Sequence, residues 1–209
     1  MYEFPFELDD FQKDACRFID EGKSVVVCAP TGAGKTVIAQ HAIHRALQEG
    51  KRIFYTTPLK ALSNQKYYDF GQKYGTEKVG LLTGDTSINR SGQIVVMTTE
   101  VFRNMLYGTN FGSVTDNMKD VKYVVLDEVH YMNDEQRGTV WEESIIYCPT
   151  NVQIIALSAT VANADELTDW INTVHSKTEL VNTDFRPVPL KFFYFDSSQP
   201  TKLLPLLTP

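Results

Sequence analysis

Short β-branched and aromatic runs alternate with longer stretches in which apolar residues recur at helical spacing. Apolar runs at 25–28, 52–57, 79–82, 94–97, 121–126 and 152–157 read as buried strands, with later ones at 179–181 and 190–195. Between them, Phe11, Ala15, Phe18 and Ile19 mark a helix opened by Asp9 and ended by Gly22. Stretches 37–47, 59–74, 99–106 and 139–147 read as further helices, and Asn163 with Glu166 forms a capping-box pattern heading another through Trp170. Residues 4–8 form an extended lead-in, and the Gly-, Asn-, Ser- and Thr-rich stretch 108–117 reads as a loop. Strands alternating with helices predict an α/β fold with a mainly parallel sheet covered on both faces. No repeat, low-complexity tract or interdomain linker interrupts it, so residues 1–209 read as one domain.

In such sheets ligands gather at the carboxyl ends of the strands. Polar clusters follow the strands at just these points: Ala29-Pro30-Thr31-Gly32-Ala33-Gly34-Lys35-Thr36, Thr57-Pro58, Thr83-Gly84-Asp85, Thr98-Thr99-Glu100, Asp127-Glu128 and Ser158-Ala159-Thr160. The first is a phosphate loop between a strand and a helix. Its glycines let successive backbone N–H groups turn inward on a phosphate, and the helix N-terminus adds its dipole. Lys35 would reach the β- and γ-phosphates and the Thr36 hydroxyl would face Mg²⁺. The strict pattern has glycine where this chain has Ala29. Downstream, Asp127 suits the second Mg²⁺-holding position of a nucleotide hydrolase, and Glu128 is the candidate to orient and deprotonate the attacking water.

Composition narrows the partners. A 209-residue chain with 43% hydrophobic and 22% charged residues can bury an ordinary core, and the net charge of −6 excludes a generally basic nucleic-acid binder. Nucleic-acid contact is then confined to a local patch of donors. No apolar run has membrane-spanning length and the first residues do not resemble a secretory signal. Cys16, Cys28 and Cys148 are widely spaced, which suits reduced thiols of an intracellular protein. His41 and His44 lack a third metal ligand and read as a solvent-facing helix surface.

The ordered set of Gln12, Ala29 to Thr36, Pro58-Leu59-Lys60-Ala61-Leu62-Ser63-Asn64-Gln65-Lys66, Thr83-Gly84-Asp85, Thr98-Thr99-Glu100, Asp127-Glu128-Val129-His130 and Ser158-Ala159-Thr160 resembles superfamily 2 helicases. Tyr131-Met132-Asn133-Asp134, Arg137-Gly138, Trp141-Glu142-Glu143, Asp165-Glu166-Leu167 and Arg186-Pro187-Val188-Pro189-Leu190 resemble the Ski2-like, DEVH-box branch, in particular its cyanobacterial and chloroplast members. Alanine at position 29 is the usual form there.

The resemblance implies a RecA-like domain using ATP and Mg²⁺. Phe6 would stack on adenine and Gln12 would read its edge, although spacing alone leaves Gln12 equally a capping-box partner. Pro30, Thr31, Gly32, Ala33 and Gly34 would join Lys35 and Thr36 around the nucleotide. Lys35, Asp127, Glu128 and His130 would be the catalytic set, the role of His130 resting on the resemblance. Pro58, Lys60, Ser63, Asn64, Gln65, Thr83, Gly84, Asp85, Thr98, Thr99, Glu100 and Arg103 would line a track for an RNA backbone, read through phosphate and sugar. A plain solvated face remains the alternative for the Lys60 helix and for Arg103. Ser158, Ala159 and Thr160 would couple nucleotide state to domain movement, or form a simple strand-end turn.

Superfamily 2 motors complete the ATP site from a second RecA-like domain with an arginine-rich motif, and nothing like Gln-x-x-Gly-Arg-x-Gly-Arg occurs here. The chain therefore reads as the first motor domain of a longer ATP-dependent RNA helicase, with residues 186–209 leading toward the second. Without an arginine finger, worth on the order of 10³–10⁵ in rate, it would bind nucleotide and turn over very slowly. The partners implied are single-stranded or structured RNA and the second domain, with no membrane, in bacterial cytoplasm or chloroplast stroma. A DNA helicase of the same branch and a non-motor, nucleotide-dependent RNA-binding switch are the alternatives.

Overall fold

The computed structural model describes residues 4–108, 113–133, 138–188, 193–195 and 203–205. Its elements run α1 (Asp10–Asp20), β1 (Ser24–Cys28), α2 (Thr36–Gln48), β2 (Arg52–Thr57), α3 (Lys60–Tyr74), β3 (Val79–Leu82), β4 (Ser87–Ile88), β5 (Ile94–Thr98), α4 (Thr99–Leu106) and α5 (Val114–Asn117). They continue with β6 (Val121–Leu126), a 3₁₀ turn (Val129–Asn133), α6 (Gly138–Ile146), β7 (Gln153–Ser158), α7 (Ala164–Val174), β8 (Thr178–Asn182), β9 (Phe193–Phe195) and β10 (Leu203–Pro205).

Eight strands form one sheet in the order β4-β3-β5-β2-β6-β7-β1-β8, and every pairing is parallel except β3 with the edge strand β4. The central strands are buried along nearly their whole length because both faces are covered. Alternation sorts their side chains. Val25, Val27, Ile53, Tyr55, Tyr123 and Val125 face the core under α1, α2 and α3, built on Phe11, Ile19, Ile38 and Phe70. Val26, Cys28, Phe54, Val124 and Leu126 face the opposite core under α4, α6 and α7, built on Phe102, Trp141 and Ile171. All three cysteines are buried and free.

The structure departs from the sequence reading in several places. Within the expected loop at 108–117, residues 113–117 turn into a short helix, because the Ser113 hydroxyl caps the Asp116 N–H at 3.1 Å. Residues 109–112 lie outside the described set, as do Asp134, Arg137, Pro189 and Leu190. Asn163 makes no side-chain cap. The late strand is described at β9, which pairs antiparallel with β10.

The His pair on α2 also needs correcting. It packs inward: His41 is fully buried against Asp20, 2.9 Å away, and the His44 ring meets the edge of Tyr74. Burial holds both imidazoles below their ordinary value, against the pull of Asp20 at His41, and His44 falls to about 4, helped by nearby Lys73. A group held lower in the folded state takes up its proton first on unfolding, so its contribution is whole above pH 6.5 and is lost as pH falls toward 4. Urea unfolding at pH 7.5 and 5.0 should accordingly give lower stability at the acid value, with a smaller drop in His44→Phe. An undiminished drop in that variant would contradict the assignment.

Candidate functional site

β1 delivers the chain into the phosphate loop. Ala29 is fully buried, donates its N–H to the Ser158 carbonyl at 3.2 Å, and is not among the residues with positive φ, so nothing there requires glycine. The turn is made by Gly32 (φ +85°) and Gly34 (φ +91°), where residues with side chains are strained. Pro30 accepts from the Ala33 N–H and Gly34 from the Val37 N–H, so loop and helix start form one folded unit. The Lys35 ammonium donates to the Ala29 and Pro30 carbonyls at 2.7 and 3.1 Å. Burial lowers its pKa, while the charges of Glu128 and Asp127 act in the opposite direction.

Gln12 makes the capping contact and a second one to the phosphate loop. Its Oε1 accepts the Asp9 N–H at 3.0 Å, the capping contact, and its Nε2 donates to the Gly34 carbonyl at 3.2 Å. At 4% exposure its amide braces the phosphate loop. Phe6 is half exposed, its ring 5.5 Å from Phe4, and is open to a flat ligand.

The acids sit at the end of β6. Asp127 continues the ladder by donating its N–H to the Thr56 carbonyl at 3.0 Å. One carboxylate oxygen accepts the Tyr55 hydroxyl at 2.6 Å and the other accepts the Glu128 N–H at 3.0 Å. Glu128 holds φ +57°, a left-handed conformation that costs a side-chain-bearing residue free energy and concentrates at functional sites. Its carboxylate lies 3.3 Å from His130 Nδ1, which also accepts the Ala159 N–H at 3.4 Å. His130 thereby bridges the acidic turn to the end of β7 and the residues after it, where Ser158 is buried and Thr160 is exposed.

The expected track residues divide by exposure. Lys60, Asn64, Gln65, Gly84 and Asp85 are exposed and Glu100 and Arg103 half-buried, along one edge of the sheet. Pro58, Ser63, Thr83, Thr98 and Thr99 are buried. The Ser63 hydroxyl pairs with Thr57 Oγ1 at 2.8 Å and that of Thr99 donates to the Thr57 carbonyl, both inward, while Thr83 donates to the exposed Asp85. They shape the edge from beneath. Its cations meet acids, Lys60 with Asp85 at 2.5 Å and Arg103 with Glu143 at 3.5 Å, and Lys60 holds the Asp85 carboxyl below its ordinary value.

Three residues at the site had no role assigned from the sequence. Tyr55 reaches Asp127 from mid-strand, and burial keeps its phenol protonated. Lys66 lies 3.4 Å from the Thr36 hydroxyl and over the Tyr55 ring at 5.6 Å. Arg186 donates to the Thr31 carbonyl at 3.1 Å. For Tyr55 the available signal was a phenol within an apolar strand, which needs a partner when buried.

These features fit a nucleoside triphosphate with Mg²⁺: a turned loop of N–H groups, a lysine at its mouth, and a hydroxyl and a carboxylate as hard oxygen donors. Such a loop and acid pair at the edge of a parallel sheet define a P-loop nucleotide-binding domain. The DEAD/DEAH box helicase family model matches residues 9–167, and the chain belongs to that family. It is 54% identical over 205 residues to the DExH-box ATP-dependent RNA helicase DExH15, chloroplastic, of Arabidopsis thaliana, covering 98% of this chain and 17% of that protein. It is 53% identical to the probable helicase HelY of Mycobacterium leprae, covering 90% of this chain and 20% of that protein. The chain thus spans about a fifth of the length of these Ski2-like relatives. Among solved structures, the Mycobacterium smegmatis helicase Lhr bound to ssDNA and AMP-PNP superposes with a TM-score of 0.65 at 26% identity, over 83% of this chain and 25% of that one. The fold is the RecA-like domain of these helicases.

The glycines offer a direct check on the loop. A Cβ on Gly34 would lie 2.6 Å from Gln12 Nε2, whereas one on Gly32 meets nothing within 4 Å. Gly32→Ala should cost only the left-handed backbone, about 1–2 kcal/mol, and Gly34→Ala more, because the Gln12 brace must also move. Equal losses on urea unfolding would contradict the packing described.

Proposed function

We propose that this chain is the first motor domain of a Ski2-like, ATP-dependent RNA helicase. The observation that carries the reading is the placement of the phosphate loop after β1 and of Asp127 and Glu128 after β6 at the same carboxyl edge of the sheet, with only β7 between them. The Lys35 ammonium would exchange its two carbonyl partners for β- and γ-phosphate oxygens. Thr36 and Asp127 would hold Mg²⁺, which supplies charge neutralisation across those phosphates. Glu128 would orient the attacking water and accept its proton, with His130 Nδ1 3.3 Å from its carboxylate. Chemistry of this kind depends on positioning and electrostatic stabilisation rather than covalent help. Phe6 and Gln12 would address adenine.

The exposed edge formed by Lys60, Asn64, Gln65 and Arg103 would carry a single strand through phosphate and sugar contacts, its acid partners yielding to the phosphates. RNA is favoured by the name of the chloroplastic relative, which also supports a chloroplast setting, and the Mycobacterium leprae relative supports a bacterial one. Among the described residues no helix is long and apolar enough to cross a membrane. A DNA motor is the second reading, supported by the ssDNA in the Lhr structure. A second RecA-like domain would complete the ATP site, which makes slow turnover the expectation for this chain by itself.

ATP hydrolysis by the full-length protein, with RNA or DNA single strands of equal length at one stated salt concentration, tests this directly. We expect stimulation by RNA and a loss of at least about 10²-fold in kcat for Glu128→Gln. Equal or greater stimulation by DNA would favour the second reading. No stimulation by either would favour a nucleotide-dependent switch.

A further inference from the structure

We propose that Tyr55 is a positioning residue for the metal-holding carboxylate Asp127, so that the strand feeding the nucleic-acid edge also sets how tightly the site takes Mg²⁺. This rests on the reading of the site as a Mg²⁺-nucleotide site.

Tyr55 is fully buried in the core beneath α2 and α3, with Phe70 edge-on at 5.2 Å. Packing alone would be served by phenylalanine, so the hydroxyl needs its own explanation. It makes a 2.6 Å bond to Asp127 Oδ2, the length of a charge-assisted O–H···O⁻ contact. The backbones at both ends are fixed, because Tyr55 lies opposite Val125 in the β2–β6 ladder and Asp127 donates its N–H to Thr56. With Oδ1 held by the Glu128 N–H, the carboxylate plane is set by one donor on each oxygen. Each oxygen retains acceptor capacity for a hydrated cation.

A carboxylate free to rotate binds a small, geometrically demanding ion less well, and outer-shell partners of metal ligands commonly contribute 10–100-fold in affinity. The same side chain ties the site to the track. Two residues beyond Tyr55, the Thr57 hydroxyl bonds Ser63 on α3, the helix that exposes Asn64 and Gln65. The next turn of α3 sends Lys66 over the Tyr55 ring to the Thr36 hydroxyl, the other candidate metal donor. Both donors are therefore approached from β2 and α3, and a strand bound along α3 has a packed route to them.

The test is a Mg²⁺ titration of mant-ATP binding to the full chain, monitored by fluorescence, in wild type, Tyr55→Phe and Phe70→Leu. We expect Tyr55→Phe to raise the half-saturating Mg²⁺ concentration about 10-fold, with nucleotide affinity in EDTA unchanged. Phe70→Leu, which disturbs the packing and leaves the phenol in place, should lower the melting temperature and leave the Mg²⁺ midpoint where it was. In wild type, the Tyr55 hydroxyl proton resonance should shift when Mg²⁺ joins the nucleotide complex, a readout independent of how well the variants fold. A Tyr55→Phe midpoint equal to wild type, an equal shift in Phe70→Leu, or an unmoved hydroxyl resonance would each overturn the proposal. Wild-type binding indifferent to Mg²⁺ would overturn the metal site itself, and this assignment with it.

Discussion

The site depends on parallel hydrogen-bonded pairing among β1, β7, β6 and β2. Because these neighbours run in one direction, their carboxyl ends arrive together, and the ladder continues past the strands into the functional turns. Ala29 donates to Ser158, joining the base of the phosphate loop to the end of β7, and Asp127 donates to Thr56, joining the acidic turn to β2. Groups far apart in sequence are thus fixed relative to one another by backbone bonds buried between two apolar layers. Side chains make the finer adjustments.

Those adjustments form a connected set. Gln12 braces the loop at Gly34, Tyr55 holds Asp127, Lys66 approaches Thr36, and His130 lies between Glu128 and Ala159. Buried polar groups are costly unless paired, and here the pairing fixes the side chains at the carboxyl edge of the sheet. The left-handed Glu128 is the strained member of the set. Its backbone carbonyl accepts the Tyr131 N–H, which anchors the turn on the far side. The same economy marks the exposed edge, where Lys60 meets Asp85 and Arg103 meets Glu143.

Much of this was legible in the sequence. The β-branched runs placed the central strands nearly to the residue, because strands buried on both faces need continuous apolar stretches, and the glycines and acids at their ends marked one edge. What was hidden is tertiary. Ser87 and Ile88 form an exposed edge strand with no apolar pattern to announce it. His41 and Ser63 carry polar side chains into the interior, where Asp20 and Thr57 wait from other elements. Tyr55 reads as an ordinary core aromatic until β6 supplies the carboxylate beside it. Composition and periodicity report burial; they do not report which partner a buried hydroxyl will meet.

The central claim is that the carboxyl edge of the sheet holds the phosphates of a nucleotide, with Lys35 as their main counter-charge. Isothermal titration of Mg²⁺-nucleotide into the chain, wild type against Lys35→Ala, measures it most directly. The account predicts saturable wild-type binding that weakens roughly 10- to 100-fold in the variant, the worth of a hydrogen bond to a charged group. Equal affinities, or no binding by a folded wild-type chain, would contradict it.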